Sequence, residues 1–215
     1  MNVKSDIFSP SERGQILQAA ADLCTEQGYA EVTIEDVIDR SGVSPEKFAQ
    51  IFGGEVEECM LAAINAIVAE VMSAVAASYS ADRSELDSAL LGIRALLELM
   101  AANPSFAHLA YIVSRQMASP RVHEIYDAGT GLLAAMLDRL REQSVGFEPP
   151  AKTSRSGLGG AEAVVRAELM AGRAEQLPRL LPDLAYGATV GFLGQEEALR
   201  LATRGRELLR GTPWE

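Results

Sequence analysis

Lys47 and Gln50 carry the side chains best suited to hydrogen-bond the edge of a DNA base. They lie three residues apart, so on an α-helix they point to the same side. A lysine ammonium can donate to O6 and N7 of guanine, and a glutamine amide can pair with adenine through two hydrogen bonds. Pro45, Glu46 and Ala49 would share this outward side. The spacing therefore predicts a polar face that can enter the major groove.

Residues able to hold a phosphate lie close to that face in the sequence. The candidates are Thr33, Arg40 and Ser44, with Lys4 as a candidate N-terminal arm. Hydroxyl and guanidinium donors of this kind orient a protein on a duplex without reading its sequence. Thr33 and Ser44 also stand where helix N-caps are expected. Two alternatives stay open: the two hydroxyls serve only as caps, and Lys47 is a solvated surface charge.

Two short helices must position these side chains. The apolar residues predict helices over residues 34–41 and 45–52, with Phe48 and Phe52 packed inward on the second. A tight turn separates the helices, and its Gly42 can adopt a positive φ. Two short helices joined by a glycine-containing turn are the pattern of a helix-turn-helix.

A longer string of residues makes this interpretation more specific. It consists of Arg13-Gly14-Gln15-Ile16-Leu17-Gln18-Ala19-Ala20-Ala21-Asp22-Leu23, Gly28-Tyr29, Thr33-Ile34, Val37, Ser41-Gly42-Val43-Ser44, Phe48 and Phe52. In this order and spacing, residues 11–65 resemble the DNA-binding domain of the tetracycline-repressor (TetR) family. The resemblance implies an all-helical homodimer. It also implies a C-terminal domain that binds a small molecule, which releases or reorients the DNA-binding heads.

Several positions depart from the family pattern. Glu46 stands where the family usually has glycine, and Ala49 stands where it has a phosphate-contacting tyrosine. Ile38 replaces a usual alanine, and the lysine that tends to follow the position of Phe52 is missing. Each lost phosphate contact would flatten the salt dependence of DNA binding. The alternative is a TetR-like scaffold with weak or lost DNA binding that acts through a protein partner.

The charge of the N-terminal region is the main objection to DNA binding. The formal net charge is −11, and residues 1–60 hold four basic and twelve acidic residues. A DNA-binding domain usually shows the opposite balance. Under the alternative, this acidic region is the surface that a protein partner would meet.

The rest of the chain predicts further helices and no strands, since it lacks sustained period-two alternation and hairpin dipeptides. Helices are predicted over residues 10–27, 56–79, 84–102, 104–118, 120–145, 159–174, 182–193 and 195–210, with a linker over 146–158. The predicted fold class is all-α and TetR-like. A three-helix DNA-binding domain at residues 1–55 precedes a helical bundle for ligand sensing and dimerisation at residues 56–215.

A ligand cavity in a helical bundle is lined by apolar and aromatic side chains with a few polar anchors. The candidates are Leu96, Met100, Phe106, Tyr111, Met117, Tyr126 and Met136. The ligand expected there is a small apolar or amphipathic effector. Residues of these types at helical spacing also form ordinary cores, so that alternative stays open. His108 and His123 have no cysteine or second histidine nearby, so neither indicates a metal site.

Two late helices are the candidates for a twofold dimer interface, because small and β-branched residues on one stripe let helices approach closely. The family builds a four-helix interface from such helices. The candidate residues are Val164, Val165, Leu169, Ala188 and Val190. Internal packing within one subunit is the alternative.

The remaining observations concern other classes of protein. The sequence contains no Gly-x-Ser-x-Gly, phosphate loop, His-Glu-x-x-His or Cys/His pair, which argues against an enzyme and calls for no cofactor. A helical enzyme stays open as a further alternative. Cys24 and Cys59 are expected to be small buried hydrophobes.

No secretory signal and no run of about 18 apolar residues is evident, so the cytoplasm is expected. The sequence thus predicts a ligand-responsive regulator, a repressor that binds a pseudo-palindromic operator as a dimer.

Overall fold

The computed structural model describes residues 10–142 and 148–215, and this part of the chain is helical with no strand. Lys4, the candidate arm, lies outside the described residues. The α-helices are α1 (Glu12–Gln27), α2 (Ile34–Ser41), α3 (Pro45–Phe52), α4 (Val56–Ala77), α5 (Glu85–Ala102), α6 (Pro104–His108), α7 (Ser114–Gln116), α8 (Pro120–Arg141), α9 (Thr153–Met170), α10 (Leu181–Leu193) and α11 (Gln195–Leu209). The predicted all-α class is confirmed.

Local capping explains why the helix-turn-helix was predicted closely. Helices α2 and α3 have the predicted bounds, and α1 ends before Gly28, whose φ is 86°. The predicted start of α1 at residue 10 is wrong by two residues. The Ser11 hydroxyl is the N-cap, accepting the N–H of Gly14 at 3.1 Å, so the helix begins at Glu12.

The structure differs from the prediction elsewhere too, and α9 ends at Met170 where the predicted helix ran to residue 174. The segment predicted as one helix over 104–118 contains a π-helical turn, Leu109–Val113, between α6 and α7. The predicted linker over 146–158 is helical from Thr153 onward, because α9 begins there. Gly157 in this stretch, which the sequence analysis counted as a linker residue, instead lets α9 approach a neighbouring helix.

The chain divides into two compact units. One consists of the chain up to Val71 together with Asn103–Asp127, and the other consists of Met72–Ala102 and Ala128–Glu215. We call them the first and the second unit. The first contains all of the helix-turn-helix. The predicted boundary after residue 55 divides the chain by function, into a DNA-binding and a ligand-sensing part. That division stays a prediction.

The core of the first unit begins with the apolar face predicted for α1. Ile16, Leu17, Ala20 and Cys24 are all fully buried. Helix α1 packs against α2, α6 and the π-helical turn. Helix α1 therefore positions the first helix of the helix-turn-helix through its packing with α2.

In the second unit, helix α10 packs against both α9 and α11. Two glycines permit close approach. A Cβ added at Gly157 of α9 would lie 2.7 Å from the carbonyl oxygen of Ala188, and one at Gly205 of α11 would lie 3.3 Å from the Cα of Pro182. Backbone packs on backbone at these two points.

Helix α4 is, by length and composition alone, apolar enough to cross a membrane, which the sequence analysis did not anticipate. The core helix of a soluble protein meets the same criteria. The residues of α4 that are at most 2% exposed are Cys59, Met60, Leu61, Ala63, Ile64 and Ile67. Their burial makes the first half of α4 part of the core, while 39% of the most apolar window of the helix is buried in all.

Candidate nucleic-acid interface

Helix α3 is anchored by the two phenylalanines that the sequence assigned to its inner side. Phe48 is 1% exposed and Phe52 is 5% exposed. Their ring centroids lie 5.5 Å apart, and the guanidinium of Arg13 lies 5.2 Å from the centroid of Phe52. The ring pair lies within α3, and the cation over the second ring joins α3 to α1. The opposite side of α3 consequently faces outward.

Helix α2 begins with a capping box formed by Thr33 and Asp36. The Thr33 hydroxyl accepts the N–H of Asp36 at 3.2 Å and donates to the Asp36 carboxylate at 2.7 Å. The N–H of Thr33 donates to the same carboxylate at 3.0 Å. The Thr33 hydroxyl and N–H lower the pKa of Asp36, which keeps this carboxylate ionised at neutral pH. Capping by Thr33 is confirmed, and its contact with phosphate stays a prediction.

The turn and the start of α3 follow the predicted chemistry. Gly42 ends α2 in the left-handed conformation, with φ 69°, and its N–H donates to the carbonyl of Ile38 at 2.9 Å. The Ser44 hydroxyl accepts the N–H of Lys47 at 3.3 Å, and Pro45 occupies the first helical position. Hydrogen bonds from its own backbone N–H and from Ser44 lower the pKa of Glu46. The entry to α3 therefore carries a fixed negative charge.

The outward face of α3 contains the predicted base-reading residues. Gln50 is exposed, as are Pro45, Glu46 and Ala49, while Lys47 is half-buried. Lys47 and Gln50 stand on the same helix, three residues apart, so the structure brings the two candidates together. This face has the donors needed for base recognition. Its Glu46 carboxylate opposes the approach of phosphate.

Two glutamates of α1 that the sequence did not predict touch the candidate cations. Both guanidinium amino groups of Arg40 donate to the carboxylate of Glu26, at 2.8 and 2.7 Å. The Lys47 ammonium lies 3.1 Å from the carboxylate of Glu12. These pairs join residues 14 and 35 positions apart, and no short motif marks such pairs in a sequence. The one available sign was the excess of acidic residues over basic ones.

The predicted effector-binding residues are divided between the two units. Phe106, Tyr111, Met117 and Tyr126 belong to the first, and Leu96, Met100 and Met136 belong to the second. Met100, Phe106 and Met117 are buried, and the other four are half-buried.

A small apolar cavity lies inside the second unit, among Leu90, Leu137, Leu140 and Thr189. Its volume is about 10 Å³, which is room for about one water molecule. None of the seven predicted effector-binding residues lines it. The cavity is therefore not the predicted effector site, and the effector-binding assignments stay predictions.

Two polar side chains of the first unit lie among these candidates. The Tyr126 hydroxyl accepts a hydrogen bond from Arg115, whose guanidinium lies 4.8 Å from the centroid of the tyrosine ring. His108 ends α6 directly before the π-helical turn, and its Nδ1 is buried with no hydrogen-bond partner among the described residues. Desolvation lowers the pKa of His108, so its neutral form is favoured.

The dimer candidates differ in how accessible they are. Val165, Leu169 and Ala188 are buried within the chain, where they make internal contacts. Val164 is 41% exposed and Val190 is half-buried. Met170, at the end of α9, is 73% exposed and was not among the candidates. Val164 and Met170 are thus apolar side chains of α9 that the packing of a single chain leaves uncovered.

Comparison with known proteins supports the resemblance at the helix-turn-helix. The family model for bacterial regulatory proteins of the tetR family matches residues 16–54, which contain α2, α3 and most of α1. No curated protein matches the chain at the level required for significance.

Solved structures share the fold over most of the chain. The fatty acid degradation regulator FadR from Bacillus halodurans has a TM-score of 0.72 at 16% identity, covering 86% of this chain and 96% of its own. FadR from Bacillus subtilis, in complex with stearoyl-CoA, has a TM-score of 0.70 at 14% identity, covering 85% and 99%. The ketosteroid regulator KstR2 of Mycobacterium tuberculosis has a TM-score of 0.55 at 14% identity, covering 94% of each chain.

These similarities agree with the geometry of the site. The matched segment is the one in which Phe48 and Phe52 hold α3 with its polar side outward. Most of the chain, beyond the matched segment, shares the fold of these solved regulators. Residues 16–54 are therefore similar to bacterial regulatory proteins of the tetR family, and the chain shares its fold with solved regulators.

Proposed function

We propose that the protein is a ligand-responsive repressor that binds a pseudo-palindromic operator as a homodimer. The observation that carries this proposal is the exposed outer side of α3, fixed from behind by Phe48 and Phe52. In a helix-turn-helix the N-terminal part of the second helix meets the base edges. Lys47 and Gln50 supply the base contacts, with Pro45 beside them. Thr33, Arg40 and Ser44 supply the phosphate contacts.

Dimerisation places two copies of α3 on the same side of the molecule, which a palindromic operator requires. The exposed apolar side chains of α9, among them Val164 and Met170, support α9 as part of the interface. Val190 of α10 is half-buried and lies on a helix packed against α9. The buried candidates, Val165, Leu169 and Ala188, would support the interface from behind.

The effector in this proposal is a small apolar or amphipathic molecule whose binding releases the operator. FadR from Bacillus subtilis was solved with stearoyl-CoA, which makes a long-chain acyl-CoA the first effector to test. We include in this proposal that the effector contacts the seven predicted residues from Leu96 to Met136. A regulator that binds DNA and an internal metabolite works in the cytoplasm.

The test is a fluorescence anisotropy titration of the DNA flanking the protein's own gene, at about 50 mM and about 200 mM salt. We expect binding that prefers that DNA over a scrambled duplex and weakens at the higher salt concentration. Lys47→Ala should weaken specific binding on the order of tenfold. Lys152→Ala removes the same charge from an exposed position just before α9 and should leave binding unchanged. Stearoyl-CoA should then release the bound DNA.

A second candidate is a scaffold that acts through a protein partner. The excess of acidic residues in the N-terminal region favours it, because such a surface repels DNA and attracts a basic protein surface. The same titration separates the two. If no duplex is preferred at low salt, DNA recognition is excluded and the scaffold is the better account.

A further inference from the structure

The described cations of the helix-turn-helix region are all engaged within the protein. Between residues 10 and 60 these are Arg13, Arg40 and Lys47. Arg13 lies over the ring of Phe52. Arg40 and Lys47, the two proposed to meet DNA, are each paired with a glutamate of α1.

Both glutamates bind the same cations that a DNA phosphate would contact. Glu26 holds Arg40 through two parallel hydrogen bonds, at 2.8 and 2.7 Å, which is how a guanidinium also binds a phosphate group. Glu12 holds the Lys47 ammonium at 3.1 Å. A carboxylate and a phosphodiester are both oxygen anions, so the two compete for these donors.

The pairs are exposed enough for that competition to occur. The side chains of Arg40 and Glu26 are 41% and 54% exposed, and those of Lys47 and Glu12 are 37% and 58% exposed. Exposed ion pairs are weak because water and salt screen them. A duplex can therefore displace the glutamates, but each displacement subtracts from the affinity that the cation would otherwise give.

We infer that Glu12 and Glu26 set the operator affinity of this protein by competing with DNA phosphates for Lys47 and Arg40. The inference rests on the proposed DNA-binding function. Removing either carboxylate frees one cation before binding. In the wild type, the glutamate carboxylate left behind must take up a cation from solution when the lysine or arginine moves to the phosphate. The glutamine variant has no such carboxylate. Affinity should rise, and the dependence on salt should become steeper.

The experiment measures operator affinity across a salt series for Glu12→Gln, Glu26→Gln and the double variant. Each single change should tighten binding about two- to fivefold and steepen the slope of log affinity against log salt by up to about one. Glu31→Gln is the matched control, because the exposed Glu31 carboxylate has no ion-pair partner within residues 10–142 and 148–215. It removes the same charge from the same region and should change the slope little.

A coupling measurement separates competition from a general charge effect. In a Lys47→Ala background, Glu12→Gln should lose most of its effect, and in an Arg40→Ala background Glu26→Gln should do the same. An effect that persists in these backgrounds, or that equals the effect of Glu31→Gln, would overturn the inference. Thermal unfolding of each variant verifies that the helix-turn-helix stays folded.

The outcomes also separate this inference from the function on which it rests. Binding by the wild type without any coupling overturns only the competition. Failure of the wild type and of the double variant to prefer any duplex overturns both the competition and the proposed function. Binding that emerges only in the double variant supports the competition in its strongest form.

Discussion

Burial changes the chemistry of the two cysteines, Cys24 and Cys59. Both are fully buried, and the Cys24 thiol lies 3.5 Å from the sulfur of Met60. Desolvation raises the pKa of each thiol to about 12, so the reactive thiolate is scarce at neutral pH. The expectation from sequence, that these cysteines are small core residues, is confirmed by their burial. Short-range helical periodicity was sufficient for that.

The thiols should therefore resist modification while the protein is folded. We expect no reaction with Ellman's reagent at pH 8 within minutes, and two equivalents of thiol after unfolding in guanidinium chloride. A thiol that titrates rapidly in the native protein would contradict the burial of these side chains.

His108 gives stability a specific dependence on pH. Its pKa is lowered by desolvation in the folded state, so the unfolded chain takes up the proton first as the pH falls. The stability present above the ordinary histidine pKa is consequently lost as the pH drops through and below it. We expect the free energy of unfolding, measured in urea, to fall between pH 7.5 and pH 5.5. His108→Phe should remove part of that fall.

The matched control is His123→Phe, on α8, where the histidine is exposed. It should leave the wild-type pH dependence in place. Equal pH dependence in wild type and His108→Phe would show that the burial of His108 contributes nothing to it.

At the scale of elements, the parts predicted well are those fixed by residues three or four positions apart. The caps at Thr33 and Ser44 and the glycine at position 42 set the bounds of α2 and α3. The start of α9 was missed because Gly157 has a tertiary reason to lie in a helix. Gly157 faces the backbone of Ala188, about thirty residues further along the chain. The residues around Gly157 in the sequence do not indicate that contact, because it depends on the tertiary fold. The glutamates paired with Arg40 and Lys47 were missed for the same reason.

Substitution of two glycines in α9 tests this explanation. Gly157→Ala should destabilise the protein by about 1–3 kcal/mol, because its Cβ would lie 2.7 Å from the Ala188 carbonyl oxygen. Gly159→Ala meets nothing within 4 Å and should stabilise by about 0.5–1 kcal/mol through helix propensity. Chemical denaturation of both variants is the measurement. Stabilisation by Gly157→Ala would mean that α9 and α10 lie farther apart.

At the scale of the whole molecule, the exposed apolar side chain of Val164 on α9 should decide the oligomeric state. Val164→Arg places a charge in the proposed interface and should convert a dimer to a monomer in size-exclusion chromatography with light scattering. Leu132→Arg, on α8, is the control, since Leu132 is also exposed, at 53%. It should remain dimeric. A dimer that survives Val164→Arg would place the interface elsewhere.

The ion pairs between α1 and the helix-turn-helix also bear on how the protein would search a chromosome. Attraction to arbitrary duplex is almost entirely electrostatic, and it grows with the number of lysines and arginines ready to replace counterions. In this protein, glutamates of α1 already neutralise Arg40 and Lys47. The helix-turn-helix should therefore bind unrelated DNA weakly and dissociate from it quickly. Most copies would then stay in solution, where an effector can reach them, and discrimination would fall to hydrogen bonds at the base edges. We expect modest affinity at the target together with a low background elsewhere.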